Sequence, residues 1–144
     1  MEIDVNIKLL DERARIPEYK TDGAAAFDIC SLTTGTVEAG HPLTCRTGIA
    51  VEIPAGFAML IKSRSGHGFN DGVRLANSVG VIDSDYRGEI KVKLTADERK
   101  SLRVNVGDRI AQAYIVPIPR TRFRITDALS DTARGTGGFG STGA

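Results

Sequence analysis

Apolar and polar residues alternate along most of this chain. Ile3, Val5, Ile7 and Leu9 are spaced by mostly polar residues, and Ile90, Val92 and Leu94 are separated by Lys91 and Lys93. A period of two sends one face of the segment into a core and the other into water, which predicts half-buried strands. Phe27–Cys30, Leu43–Ile53, Phe57–Lys62, Glu89–Leu94, Ile110–Val116 and Arg122–Ile125 favour strands by composition. Turn-forming groups separate them: Asp22-Gly23, Glu38-Ala39-Gly40, Pro54-Ala55-Gly56, Asn70-Asp71-Gly72 and Val106-Gly107-Asp108. Only Thr95–Arg103 carries a locally helical composition. Many short strands at close spacing predict a sandwich or barrel. There is no internal repeat and no linker before about Ser130.

Composition narrows the class. The chain has 144 residues, which predicts one domain. A chain of this size buries roughly 68–70% of its unfolded surface, so it needs no disulfide or structural metal to fold. Net charge is +1, which gives no electrostatic footprint for nucleic acid. No apolar run approaches the length of a membrane span, and Met1-Glu2-Ile3-Asp4 lacks the start of a signal peptide. Cys30 and Cys45 form no CxxC pair and read as two buried, reduced thiols of a cytoplasmic protein, with a single disulfide between them as the alternative.

Two stretches carry residues that a fold alone does not require. The first, Gly80 to Glu89, reads as a tight hairpin holding Asp83, Asp85 and Tyr86. A turn needs Gly, Asn or Asp, but two carboxylates and a ring crowded together suit a ligand or metal better. The second is the tail, where five of the sixteen glycines fall within the last ten residues. It contains Arg134 and Phe139 and cannot build a core; unaided, it reads as a flexible terminus. Gly135-x-Gly137-x-x-Gly140 mimics a dinucleotide-binding pattern, but no strand–turn–helix surrounds it. His41 and His67 are isolated and read as surface or loop residues.

Five segments, in order, resemble the motifs of the homotrimeric dUTPase family: Ala25-Ala26-Phe27-Asp28-Ile29; Pro54-Ala55-Gly56 with Ile61-Lys62-Ser63-Arg64-Ser65-Gly66; Asn77 through Gly88; Gly107-Asp108-Arg109-Ile110-Ala111-Gln112; and Arg134 to Gly143. The resemblance implies an all-β, jelly-roll-like distorted β-barrel over 1–130, with a flexible Gly-rich C-terminal arm over 131–144. It implies a homotrimer with shared active sites that hydrolyses dUTP to dUMP and pyrophosphate with Mg²⁺. That reaction lowers dUTP and supplies dUMP for dTTP synthesis. No nucleic acid or membrane partner is implied.

The resemblance assigns roles residue by residue, and the side chains have chemistry that suits them. Asp83 would activate the attacking water, and Gln112 would orient that water or an α-phosphate oxygen. Arg64, Ser65 and Gly66 combine a cation, a hydroxyl and room for close backbone approach, suited to the α- and β-phosphates. Asn77, with backbone groups from Val79 to Ile82, would read uracil. Tyr86 would pack against deoxyribose and exclude a 2′-hydroxyl. In the tail, Phe139 would stack on uracil, Arg134 would bind the γ-phosphate, and Ser141 and Thr142 would donate to phosphates, making the arm a lid. Asp28 would reach Mg²⁺ through water, the ion being held chiefly by phosphates.

Departures from the family pattern are Ala26 in place of a glycine and the Gly66–Asp71 segment, which lacks the usual apolar-basic pattern. Two alternatives stand beside hydrolysis. A related dCTP deaminase would place a catalytic Glu where this chain has Lys93. A non-catalytic nucleotide-sensing or partner-binding protein could use the same scaffold.

Overall fold

The computed structural model describes residues 2–141. Eleven strands run in chain order: β1 Asn6–Leu9, β2 Phe27–Cys30, β3 Gly35–Glu38, β4 Leu43–Arg46, β5 Ile49–Glu52, β6 Phe57–Lys62, β7 Val73–Leu75, β8 Gly80–Ile82, β9 Lys91–Ala96, β10 Ser101–Val104 and β11 Arg109–Pro117. A five-residue π-helix, His67–Asp71, is the one helical element among the described residues. All strand pairs are antiparallel, in four small sheets ordered β1-β5, β3-β10, β2-β11-β6-β8 and β4-β9-β7. Their inward faces meet in one apolar core that includes Ile29, Val37, Ile61, Leu75, Leu94 and Ile110. The architecture is all-β, as the alternation predicts, and a jelly-roll-like barrel, as the resemblance implies.

The differences from expectation have local causes. Leu43–Ile53 is two strands, broken at Thr47-Gly48. Gly48 has φ +69, and a Cβ there would overlap Leu32 and lie 2.9 Å from Ala14 Cβ, so the chain turns where only glycine fits. Thr95–Arg103 is not helical. The period of two in Val92, Leu94 and Ala96 resumes at Val104, and a turn lies between, closed by Lys100 N–H donating to Asp97 O at 3.1 Å. A few helix formers in a row cannot nucleate a helix against that pattern. Arg122–Ile125 forms no strand, because the described chain offers it no pairing partner; Phe123 and Ile125 stand fully exposed.

Gly80–Glu89 is not a hairpin in the pairing sense. β8 belongs to the sheet of β6, whereas β9 pairs with β4 and β7, so the Asp83–Tyr86 turn carries the chain from one sheet to another. Ala26 lies in a bend just before β2 and does not adopt a positive φ, so its methyl group is accommodated. Cys30 and Cys45 are free thiols, and burial raises the pKa of both.

Candidate functional site

The first cluster is built across β2, β11 and β6. Asp28, Gln112 and Lys62 stand directly opposite one another in the registers of the three strands, so they share one face. In a regular strand Arg109 and Gln112, three apart, would point to opposite faces. A bulge between Arg109 and Ala111 removes that difference, sending Ile110 into the core and bringing Arg109 onto the face of Asp28. Asp28 is 5% exposed. Its Oδ2 accepts from Arg109 Nη1 at 3.0 Å, its Oδ1 accepts a long bond from Gln112 Nε2 at 3.5 Å, and Arg64 Nε lies 3.8 Å from Oδ1. A buried carboxylate is thus surrounded by two guanidinium groups and an amide.

Arg64 reaches this cluster from the segment after β6. Its Nη1 donates to Arg109 O at 2.9 Å and contacts His67 Nε2 at 3.1 Å. Ser65 is exposed, and Gly66 has φ −59 with open space where a Cβ would stand. Neither conformation nor packing within the chain therefore requires glycine at position 66. His67, expected to be a surface or loop residue, turns its ring half-buried onto Arg64; burial, then Arg64, hold its pKa below the ordinary value.

The second cluster lies at the other edge of the same sheet. Asn77 is exposed and opens a tight turn in which Val79 N–H donates to Asn77 O at 2.6 Å. Ser78, between them, has φ +61, an unusual conformation for a residue other than glycine. Gly80 then passes close to Ile61, where a Cβ would come within 3.2 Å. A depression of about 400 Å³ is bordered by Asn77, Gly80, Val81, Ile82, Lys91 and Lys93. A neighbouring one of about 370 Å³ is bordered by Ile82, Asp83, Tyr86, Glu89 and Lys91. Asp83 is exposed, and its carbonyl accepts from Tyr86 N–H at 3.2 Å. The Tyr86 ring folds over Gly88, where a Cβ would overlap it, and its hydroxyl donates to Glu89 O at 3.1 Å.

Asp83 does not meet the Asp28 cluster within one chain, although Gly80, paired with Ile61, lies only about one residue along from the level of Gln112. Ile82 pairs with Met59, whereas Gln112 pairs with Lys62 at the other end of β6. Asp83 is therefore two strands across from Gln112 and about four residues along, a backbone separation of about 16 Å at ~4.8 Å per strand and ~3.3 Å per residue. That is too far to hold one phosphate and its attacking water between them. The tail joins neither cluster. After Ile118 the hydrogen bonds are local, such as Arg134 Nε donating to Gly137 O at 2.8 Å. Arg134, Phe139 and Ser141 are exposed, and Thr142 lies outside the described residues.

Three residues beside the expected set emerge from the structure: Arg109, Lys62 and His67. Arg109 and Lys62 lie inside the motif segments, but only the bulge and the strand register reveal which face they occupy. Nothing in the sequence signals the His67–Arg64 contact. Among the described residues no three His, Cys, Asp or Glu side chains gather to hold a metal, and no helix is long and apolar enough to cross a membrane. Asp28, engaged by cations, is better placed to meet a hydrated ion than to bind one directly.

Comparison with known proteins gives one answer. The dUTPase family model matches residues 12–143. A deoxyuridine 5′-triphosphate nucleotidohydrolase of Nautilia profundicola is 43% identical over 139 residues, 96% of this chain and 98% of its own. One from Thermobifida fusca is 42% identical, over 98% of this chain and 79% of its own. Among solved structures, the Staphylococcus bacteriophage 80alpha dUTPase with dUpNHpp superposes with a TM-score of 0.90 at 29% identity, over 98% of this chain and 99% of that one. A dUTPase mutant of phage phi11, in a structure described as revealing coordination of a structural Mg(II) ion, superposes with a TM-score of 0.79 at 26% identity, over 88% of this chain and 98% of that one.

Proposed function

The chain belongs to the dUTPase family, and from that premise we propose that it hydrolyses dUTP to dUMP and pyrophosphate at sites shared between three copies. The separation of Asp83 from the Asp28 cluster, with a tail whose described hydrogen bonds are local, supports the shared-site reading. A site with Asp83 at one end and Gln112 and Arg64 at the other closes only when one copy's Asp83 turn faces a second copy's Asp28 cluster. A tail whose described residues hydrogen-bond only among themselves supplies the third part. Exposed Phe123, Ile125 and Leu129, and a groove of about 470 Å³ bordered by Ile7, Phe27, Val51, Met59 and Tyr114, favour association between copies.

In such a site each side chain performs a task its chemistry allows. Asp83 accepts the proton of the attacking water. Gln112 orients that water or an α-phosphate oxygen. Arg64, Ser65 and Gly66 hold the α- and β-phosphates, and charge on the transferring group is met by donors fixed in advance. Asn77, Val79 and Ile82 bind the uracil edge, and the Tyr86 ring, pinned over Gly88, bars a 2′-hydroxyl. Arg134, Phe139, Ser141 and Thr142, in a lid over 131–144, close on phosphates and base and exclude bulk water. Mg²⁺, held chiefly by the phosphates, would supply charge neutralisation there, and Asp28 is the residue that would hold it, through water.

The deaminase reading is not favoured, since position 93 is an exposed lysine, which accepts no proton when charged. Product analysis of the purified protein with dUTP, dCTP, UTP and dTTP plus Mg²⁺ tests the proposal. dUMP and pyrophosphate from dUTP alone are expected; deaminated product from dCTP, or no turnover at all, would overturn it.

A further inference from the structure

The donors of Arg64 are unevenly used. Nη1 has two hydrogens, and both are committed: one to Arg109 O at 2.9 Å and one to His67 Nε2 at 3.1 Å. A guanidinium only donates, so His67 Nε2 must be the acceptor and the ring proton sits on Nδ1. Arg64 Nε and His67 Nδ1 are both buried without a hydrogen-bond partner among the described residues. Nη2 makes no hydrogen bond among the described residues and is left as the end that can meet a ligand. Two buried donors without a hydrogen bond, Arg64 Nε 3.8 Å from Asp28 Oδ1 and His67 Nδ1 on the far side of the ring, are costly unless something brings an acceptor to them.

The local backbone makes this contact possible. Gly68 N–H donates to Arg64 O at 3.0 Å, and the π-helix His67–Asp71 ends at Gly72 in the left-handed region, at φ +63. π-Turns of this kind are rare and often mark functional sites. This one directs a ring, rather than an aliphatic side chain, back onto the arginine. Charged groups around the ring oppose one another. Burial and Arg64, helped by Arg109, disfavour its protonation, whereas Asp71 and Asp108 favour it, and the balance holds its pKa below the ordinary value.

We infer that His67 is a positioning residue for Arg64: its Nε2 locks Nη1 against the Arg109 carbonyl, so that the remaining guanidinium edge is presented to a substrate phosphate. This rests on the reading of Arg64 as a phosphate ligand. The contact fixes a long, flexible cation before the ligand arrives, which lowers the ordering cost of binding. It acts on the phosphate chain of the ligand and not on its base or sugar.

The test compares two ligands by calorimetry on the full chain, the imido analogue dUpNHpp with Mg²⁺ and deoxyuridine, which has no phosphate. His67→Ala should weaken dUpNHpp about tenfold, the value of one lost hydrogen bond to a charged group, and leave deoxyuridine within about twofold. His67→Gln, whose amide oxygen can accept from Arg64, should restore most of the loss. His67→Leu, which fills the space without an acceptor, should behave as Ala does and serves if the Ala variant is poorly folded. Equal losses for both ligands, no loss for dUpNHpp, or no rescue by Gln would overturn the inference. Arg64→Ala separates the two levels. If it leaves dUpNHpp affinity unchanged, the phosphate-ligand reading itself fails. If it weakens dUpNHpp while His67→Ala does not, only the role of His67 fails.

Discussion

At the scale of single residues, geometry separates the groups that do chemistry from those that hold shape. Asp83 stands exposed at a turn that its backbone, not its side chain, closes. Asp83→Asn keeps the shape of the side chain and removes its basicity. Turnover should be abolished while substrate binding is retained, a loss in kcat with little change in KM. A wild-type kcat in steady-state assays would show that another group takes the proton. Tyr86 is held by Gly88 beneath it and by Glu89 O. On the proposal that the ring bars a 2′-hydroxyl sterically, Tyr86→Ala should narrow the dUTP/UTP ratio of kcat/KM; an unchanged ratio would point to a different discriminator. Asp83, Tyr86 and Arg64 were all legible in the sequence as members of motifs. His67 was not, because its role depends on a turn that brings together residues only three positions apart by a path the composition does not reveal.

At the scale of elements, the Thr47-Gly48 break decides how strands are shared among sheets. Gly48 N–H donates to Glu89 Oε1 at 2.9 Å, Thr47 Oγ1 donates to Ile90 O at 2.6 Å, and Arg46 Nε donates to the same Glu89 carboxylate at 3.1 Å. Gly48→Ala would force a methyl group into the left-handed region and against Leu32 and Ala14, with an expected loss of about 2–4 kcal/mol in urea unfolding. A loss below the error of that measurement would show that the turn relaxes freely. Glu89 also sets a pH dependence. Burial raises its pKa, but the bonds from Arg46 and the Gly48 amide outweigh this, and the folded value lies below 4.5. A depressed carboxylate contributes stability above its unfolded value and loses it as pH falls through the folded one. Thermal midpoints should therefore drop below about pH 4.5 more steeply in the wild type than in Glu89→Gln. Parallel curves would assign that acid limb elsewhere. The bulge at Ile110 belongs to this scale too: it alters which face of β11 each residue occupies, and alternation read from the sequence has no means of placing it.

At the scale of the whole molecule, the question is which copy each part serves. Full-length Asp83→Asn and a chain ending at Ala133 should each be inactive. Co-refolded in equal amounts, they should form mixed trimers in which a site works when Asp83 and a tail come from different chains. Random mixing in a closed ring then returns about one quarter of wild-type activity. If each tail served its own Asp83, no site would contain both parts, and activity would stay at background despite mixed trimers confirmed by mass.

The sequence alone determined the all-β class, the core strands and the family, because alternation and motif order are local properties that neighbouring residues carry. It could not place the helix-forming composition of Thr95–Arg103 or the alternating Arg-Phe-Arg-Ile segment at Arg122–Ile125. Whether such segments pair depends on partners distant in sequence: the first yields to sheets built by β3, β4 and β7, and the second meets no partner strand within the described chain. Only the tertiary structure decided that Arg109 and Gln112 share a face, that His67 turns onto Arg64, and that Asp83 lies about four residues and two strands from Gln112, since register and bulges are settled by packing and not by composition.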